Sequence, residues 1–108
     1  MLEYLQYRNP NSQNKASHLV IMLHGYGANG ANLISLAHDF HQSLPDAHFI
    51  SLNAIEPWEG GFPGCYQWFS LYAGVERKAL DILAPKIKNA NQILLKFIQE
   101  QLRRFNLS

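Results

Sequence analysis

The chain predicts an α/β fold with a parallel core, about three strands flanked by helices. Three observations carry this. Apolar runs at "HLVIML" (His18–Leu23) and "HFISL" (His48–Leu52) are the length of short strands. Between them Leu33, Leu36, Ala37 and Phe40 recur at helical spacing. A long amphipathic segment, Lys86 to Phe105, follows, and strand, helix, strand, helix in that order is the pattern of a parallel sheet with helical crossovers.

Taken in order, Leu2 to Tyr7 alternates apolar and polar residues and reads as a half-buried edge strand. Arg8 to Ser17, "RNPNSQNKAS", is a polar loop of turn-forming residues. His18 to Leu23 is continuous and branched, which suits a central strand buried on both faces. The first helix spans about Ala31 to Ser43 and stops ahead of Pro45. Asn53 to Gly74 is irregular, rich in glycine and proline, and holds both tryptophans; a loop that long inside a compact unit is usually functional. The last helix lines up Ile87, Ala90, Leu94, Phe97, Ile98, Leu102 and Phe105 on one face, with Arg103 and Arg104 complementing its dipole.

Bulk properties narrow the classes. The 108 residues are 47% hydrophobic and 16% charged with net charge +1, so they read as one folded domain, 1–108, with no global field toward nucleic acid or acidic lipid. The first residues have neither a basic start nor a long apolar segment, and "LVIML" is far too short to span a bilayer. One cysteine, Cys65, excludes an internal disulfide, and a cytoplasmic location is expected.

The chemistry concentrates in "LVIMLHGYGANG", where a buried strand meets a His24-Gly25-Tyr26-Gly27 turn. Such a turn entering a helix either cradles phosphate or donates backbone N–H groups to an oxyanion. Phosphate fails on spacing. Gly25, Gly27 and Gly30 match a dinucleotide fingerprint loosely, but Asp46 precedes the next strand instead of ending it, and no Gly-Lys-Ser/Thr occurs. A strand, a His-Gly-x-Gly turn and a helix is the context of an oxyanion hole, against the plainer account of a steric turn.

Other candidates are weaker. Cys65 in "PGCYQW" lacks the second glycine of a nucleophile elbow and reads as an inert thiol. His38 and His41, three apart on a helix, are too few for a closed zinc site, and no metal is expected. Lys86, Lys88, Lys96, Arg103 and Arg104 on an amphipathic helix suggest a membrane surface, but Glu100 and interspersed glutamines favour packing on a sheet. Trp58 and Trp68 have no basic groove beside them for nucleic acid and read as core or pocket aromatics.

From His18 to Ser108 the chain resembles the N-terminal half of the phospholipase/carboxylesterase family, which includes the acyl-protein thioesterases. The resemblance rests on "HLVIMLHGYGANGANL", on "HFISLNAIEPWEGGFPGCYQWFSL" and on the long helix ending in "LRRFNLS". It implies an incomplete α/β-hydrolase fold and a cofactor-independent hydrolase of esters, thioesters or lysophospholipids. It assigns the Tyr26 backbone N–H to the oxyanion, has His24, Gly25 and Gly27 shape the turn, and puts Trp68 and Phe69 near the acyl site. It departs from the family at "NAIEP", where an Ala-Pro pair is usual, and in having no G-x-S-x-G. The family's nucleophile follows the long helix and its Asp and His come later, so the triad is expected outside these residues and the chain alone is expected to be inactive. The resemblance also puts His48–Leu52 between the other two strands, leaving "LVIML" as an apolar edge open to self-association or to a complementing C-terminal polypeptide.

Overall fold

The computed structural model describes residues 2–71 and 79–107. Its elements are β1 (Tyr4–Arg8), β2 (His18–Leu23), α1 (Gly30–Phe40), β3 (Ala47–Leu52), the two-residue strands β4 (Glu56–Pro57) and β5 (Tyr66–Gln67), and α2 (Ala79–Arg104). The three longer strands form one sheet in the order β1-β3-β2. β1 runs antiparallel to β3, with Tyr4 opposite Leu52. β2 runs parallel to β3, with Leu23 opposite Leu52.

Two expectations are corrected by this order. The branched run of β2 suggests a central strand, but β3 is central and wholly buried, while β2 is half-buried with exposed ends. Among the described residues β2 pairs with β3 alone, so its apolar run lies at an edge. The second correction concerns α2, which starts at Ala79 and carries Pro85 inside it instead of beginning at Lys86. Ile87, assigned to its packed face, is exposed; among the described side chains of α2, Ala90 and Phe97 are buried and Ile93 and Leu94 pack beside Phe97 on the sheet.

Side-chain alternation along β3 builds two half-cores. Ala47 and Phe49 pack with Ala37 of α1, joined by Val20, Met22 and Ile34. Ile50 and Leu52 point the other way, to Leu2 and Phe97, joined by Leu19, Ile21, Trp68, Ile93 and Leu94. The sheet is thus held between α1 and α2. Asp46, the residue the dinucleotide reading needed, instead staples the β1–β2 loop, accepting from Ser12 Oγ at 2.8 Å and Asn14 Nδ2 at 3.2 Å. Those bonds, Ser12's foremost, hold its carboxyl below the ordinary 3.8.

Candidate functional site

The segment from His24 to Gly30 leaves β2 and enters α1, and each step of it is tied to a neighbouring element. Gly27 sits at φ +77°, and a Cβ there would lie 3.0 Å from Trp58 Cε2, so both conformation and space demand glycine. Its N–H donates to Tyr66 O at 3.0 Å, and Tyr66 N–H returns a bond to Ala28 O at 2.8 Å, which lays β5 along the turn. Asn29 caps α1, its Oδ1 accepting from Asn32 N–H at 2.9 Å. Gly30 lets the helix start against β3: a Cβ would be 2.9 Å from both Ser51 O and Leu52 O. Ser51 Oγ donates to Gly30 O across the same contact at 2.7 Å.

His24 is 4% exposed. Its Nε2 accepts from Ala54 N–H at 2.9 Å, and its Nδ1–H donates to Gly25 O at 2.7 Å. An amide N–H only donates, so Nε2 has to be the unprotonated nitrogen, and this tautomer leaves the ring no hydrogen to give elsewhere. Trp68 covers it from the other side. The indole stacks on the imidazole with centroids 5.5 Å apart, and Trp68 Nε1–H donates to His24 O at 2.9 Å. His24 therefore fastens the turn to the residues following β3, and Trp68 seals it. Phe69, the next residue, is half-buried.

Tyr26 points outward, its ring edge-on to Trp58 with centroids 5.9 Å apart and its hydroxyl 2.5 Å from Glu59 Oε2. Glu59 also accepts from Ser70 Oγ and from Leu71 N–H, the latter at 2.9 Å. Partial desolvation pushes the Glu59 carboxyl up, but the bonds from Ser70, Tyr26 and Leu71 and the nearby Lys86 charge outweigh it, holding the group below 4.5. Gln67, 3% exposed, locks the base of the loop by donating to Glu56 Oε1 at 2.6 Å and accepting from Glu59 N–H at 2.9 Å.

A groove of about 550 Å³ adjoins the turn, lined by Leu2, Ala54, Ile55, Tyr66, Ile93 and Phe97 together with charged residues of β1's approach and α2. Ala54 and Tyr66 are the residues hydrogen-bonded to His24 and Gly27. Tyr26, Trp68 and Phe69 do not line this groove. His38 and His41 stand on the far side of the sheet's α1 layer with Tyr7, whose hydroxyl is 3.1 Å from His38 Nδ1. No three His, Cys, Asp or Glu side chains converge among the described residues.

A strand, a glycine turn locked by a buried histidine, and a helix packed through Gly30 form a recurrent frame, and the wider comparison decides its family. The model of the phospholipase/carboxylesterase family matches residues 9–105. This chain belongs to the phospholipase/carboxylesterase family. A solved structure, the crystal structure of esterase PE8, is similar at 31% identity with a TM-score of 0.82, over 99% of this chain and 47% of that one. The architecture is accordingly a partial α/β-hydrolase fold, and this phospholipase/carboxylesterase chain spans about half the length of that esterase.

Sequence reasoning missed Glu59, Gln67 and Ala54 at this site. The partners of Glu59 lie 11, 12 and 33 positions away, a convergence without local periodicity. Ala54 acts through its backbone N–H, which leaves no mark in residue type. Gln67 stood in the sequence only as a departure from the elbow pattern around Cys65.

Proposed function

We propose that these 108 residues are the oxyanion-turn portion of a carboxylic-ester or thioester hydrolase, that the Tyr26 backbone N–H is a donor to the tetrahedral intermediate, and that the chain alone does not turn over. The observation that carries this reading is the locked turn: His24, Gly27 and Trp68 hold the Gly25–Tyr26 peptide in one place through Ala54, Tyr66 and Trp58. Preorganised donors of this kind contribute about 3 kcal/mol of transition-state stabilisation because they need no rearrangement as charge develops. A missing nucleophile or base costs about a million-fold in rate. No G-x-S-x-G occurs here, so serine, aspartate and histidine have to come from other residues, and the β2 edge is where a strand carrying the nucleophile fits. Trp68 and Phe69 belong to the wall of the acyl site in this reading, no cofactor or metal enters it, and a cytoplasmic location goes with it.

A second reading, an interaction module working through that same β2 edge, is favoured by its apolar run and by its having one paired neighbour among the described residues. One experiment separates the two. Hydrolysis of p-nitrophenyl esters and acyl thioesters is measured for the chain alone, for Cys65→Ser, and after adding a polypeptide that carries G-x-S-x-G, Asp and His. Background rates alone and recovery on complementation are expected. Turnover by the chain alone that survives Cys65→Ser overturns the reading, and binding of the second polypeptide without activity favours the module.

A further inference from the structure

We propose that His38 and His41 form an open two-histidine site for cupric ion at the C-terminal end of α1. Two ligands are too few to close a zinc site, but geometry that the sequence hides prepares this pair for an ion that also accepts water. The residues stand three apart on one helix face, and their ring centroids lie 5.1 Å from each other with the planes inclined at 44°. An ion about 2 Å from one nitrogen of each ring bridges such a pair. The rings share a base. Tyr7 of β1 meets His38 at 5.8 Å and His41 at 6.0 Å between centroids, and is itself set edge-on at 6.3 Å against Phe49, which is wholly buried.

The hydrogen bonds single this pair out. His41 Nδ1–H donates to His38 O, so His41 Nε2 keeps its lone pair. His38 Nδ1 lies 3.1 Å from Tyr7 Oη, and a hydroxyl accepts as well as donates, so Tyr7 can take the Nδ1–H of His38 when Nε2 is coordinated. Metal-bound imidazoles are held in this way, the far nitrogen oriented by an oxygen. Among the described residues neither Nε2 has a hydrogen-bond partner, whereas both nitrogens of His24 are engaged and His48 Nε2 is spent on Gln6. Charge agrees with a cation. No Lys or Arg occurs from Ala16 to Glu76, Asp39 stands between the two histidines in sequence, and Arg8, next to Tyr7, is turned to Ser12 and Asn14. The carbonyl end of a helix favours positive charge as well. Cupric ion is the divalent first-row ion that a given set of nitrogen ligands binds most tightly, and its tetragonal shell takes two imidazoles with water in the remaining positions. Bound there, it clasps the last turn of α1 over Tyr7.

The site stands apart from the hydrolase reading, because its test measures metal binding and not turnover. The full chain carrying Cys65→Ser, which removes its free thiol, is titrated with copper sulfate and followed by electron paramagnetic resonance and by thermal unfolding. Beside it run His38→Gln, His41→Gln, Tyr7→Phe and, as a control at the exposed histidine that opens β2, His18→Gln. Circular dichroism without copper confirms that each variant is folded. One ion per chain, nitrogen splitting from two imidazoles and an unfolding midpoint that rises with copper are expected. Tyr7→Phe keeps the ring and loses the orienting hydroxyl, so it should weaken binding about ten-fold with the two-nitrogen spectrum retained. His38→Gln or His41→Gln should weaken binding further and remove that spectrum, and His18→Gln should change neither. No copper binding, binding indifferent to His38→Gln and His41→Gln, an equal loss in His18→Gln, or one ion shared between two chains each overturns the proposal.

Discussion

At His24 both ring nitrogens and the carbonyl are hydrogen-bonded within the chain, while at Phe62, reached from the same turn through Tyr26 and Trp58, a large ring stands mostly in water. The two regions differ in what constrains them. Residue identities in the turn are dictated by internal partners: an amide that needs an acceptor, an indole that needs a flat surface, carbonyls that forbid a Cβ. Folding constrains the rim more loosely: Phe62 is 70% exposed, and among the described residues its ring contact is the stack on Trp58. Substitutions in the turn should therefore register as stability, and substitutions in the rim should leave stability alone.

The largest effect is expected from His24→Ala. It leaves the buried Ala54 N–H without its acceptor and empties the space under Trp68. The orphaned donor and the cavity together should cost about 2–4 kcal/mol, read by urea unfolding followed at Trp68. A loss below about 1 kcal/mol would break the contrast, because the imidazole would then be no more tied in than a rim residue.

That difference also explains what the sequence made legible. Strand positions, the strand order implied by resemblance and the Trp68 contact to the turn were within reach because apolar runs, glycine placement and motif spacing are local signals. β2 misled as a central strand because its branched run is the same whether or not a second neighbour is present; composition records what a strand can bury, not what it pairs with here. Ile87 misled for a similar reason, since helical periodicity continues past the point where α2 leaves the sheet. Glu59 was invisible because a carboxylate that gathers donors from Tyr26, Ser70 and Leu71 looks in sequence like any solvated glutamate. The end of the expected irregular segment, 72–74, lies outside the described residues.

A smaller effect should come from His48, on the α2 face of β3, where its Nε2–H donates to Gln6 Oε1 at 2.7 Å and its ring lies 4.3 Å from that of Phe105. Burial foremost, then the Arg104 and Arg8 charges, lowers it from the ordinary 6.5. The unfolded chain therefore takes up this proton first as pH falls. Stability should be level above 6.5 and decline as pH drops through 6.5 toward the lower folded value. The carboxyls of Asp46 and Glu59, held below 3.8 and 4.5, add their own losses only at lower pH. Chemical denaturation between pH 6.5 and 4.5 should show a slope that His48→Gln flattens. An unchanged slope would assign the dependence to other groups.

The smallest effect should come from within the turn itself and sharpens the comparison most. Gly25 and Gly27 look equivalent in "HGYG", yet only Gly27 has a left-handed φ, and only its Cβ would strike Trp58. A Cβ at Gly25 meets nothing within 4 Å. Gly27→Ala should cost about 1–2 kcal/mol through backbone strain and contact. Gly25→Ala should change stability by about 0.5 kcal/mol or less, with any gain arising from a less free unfolded chain. If the two substitutions cost the same, the turn is constrained along its whole length. If they differ as expected, Gly25 is the glycine of the turn whose side folding leaves open, which places it with the rim, among residues whose identity answers to what approaches the molecule from outside.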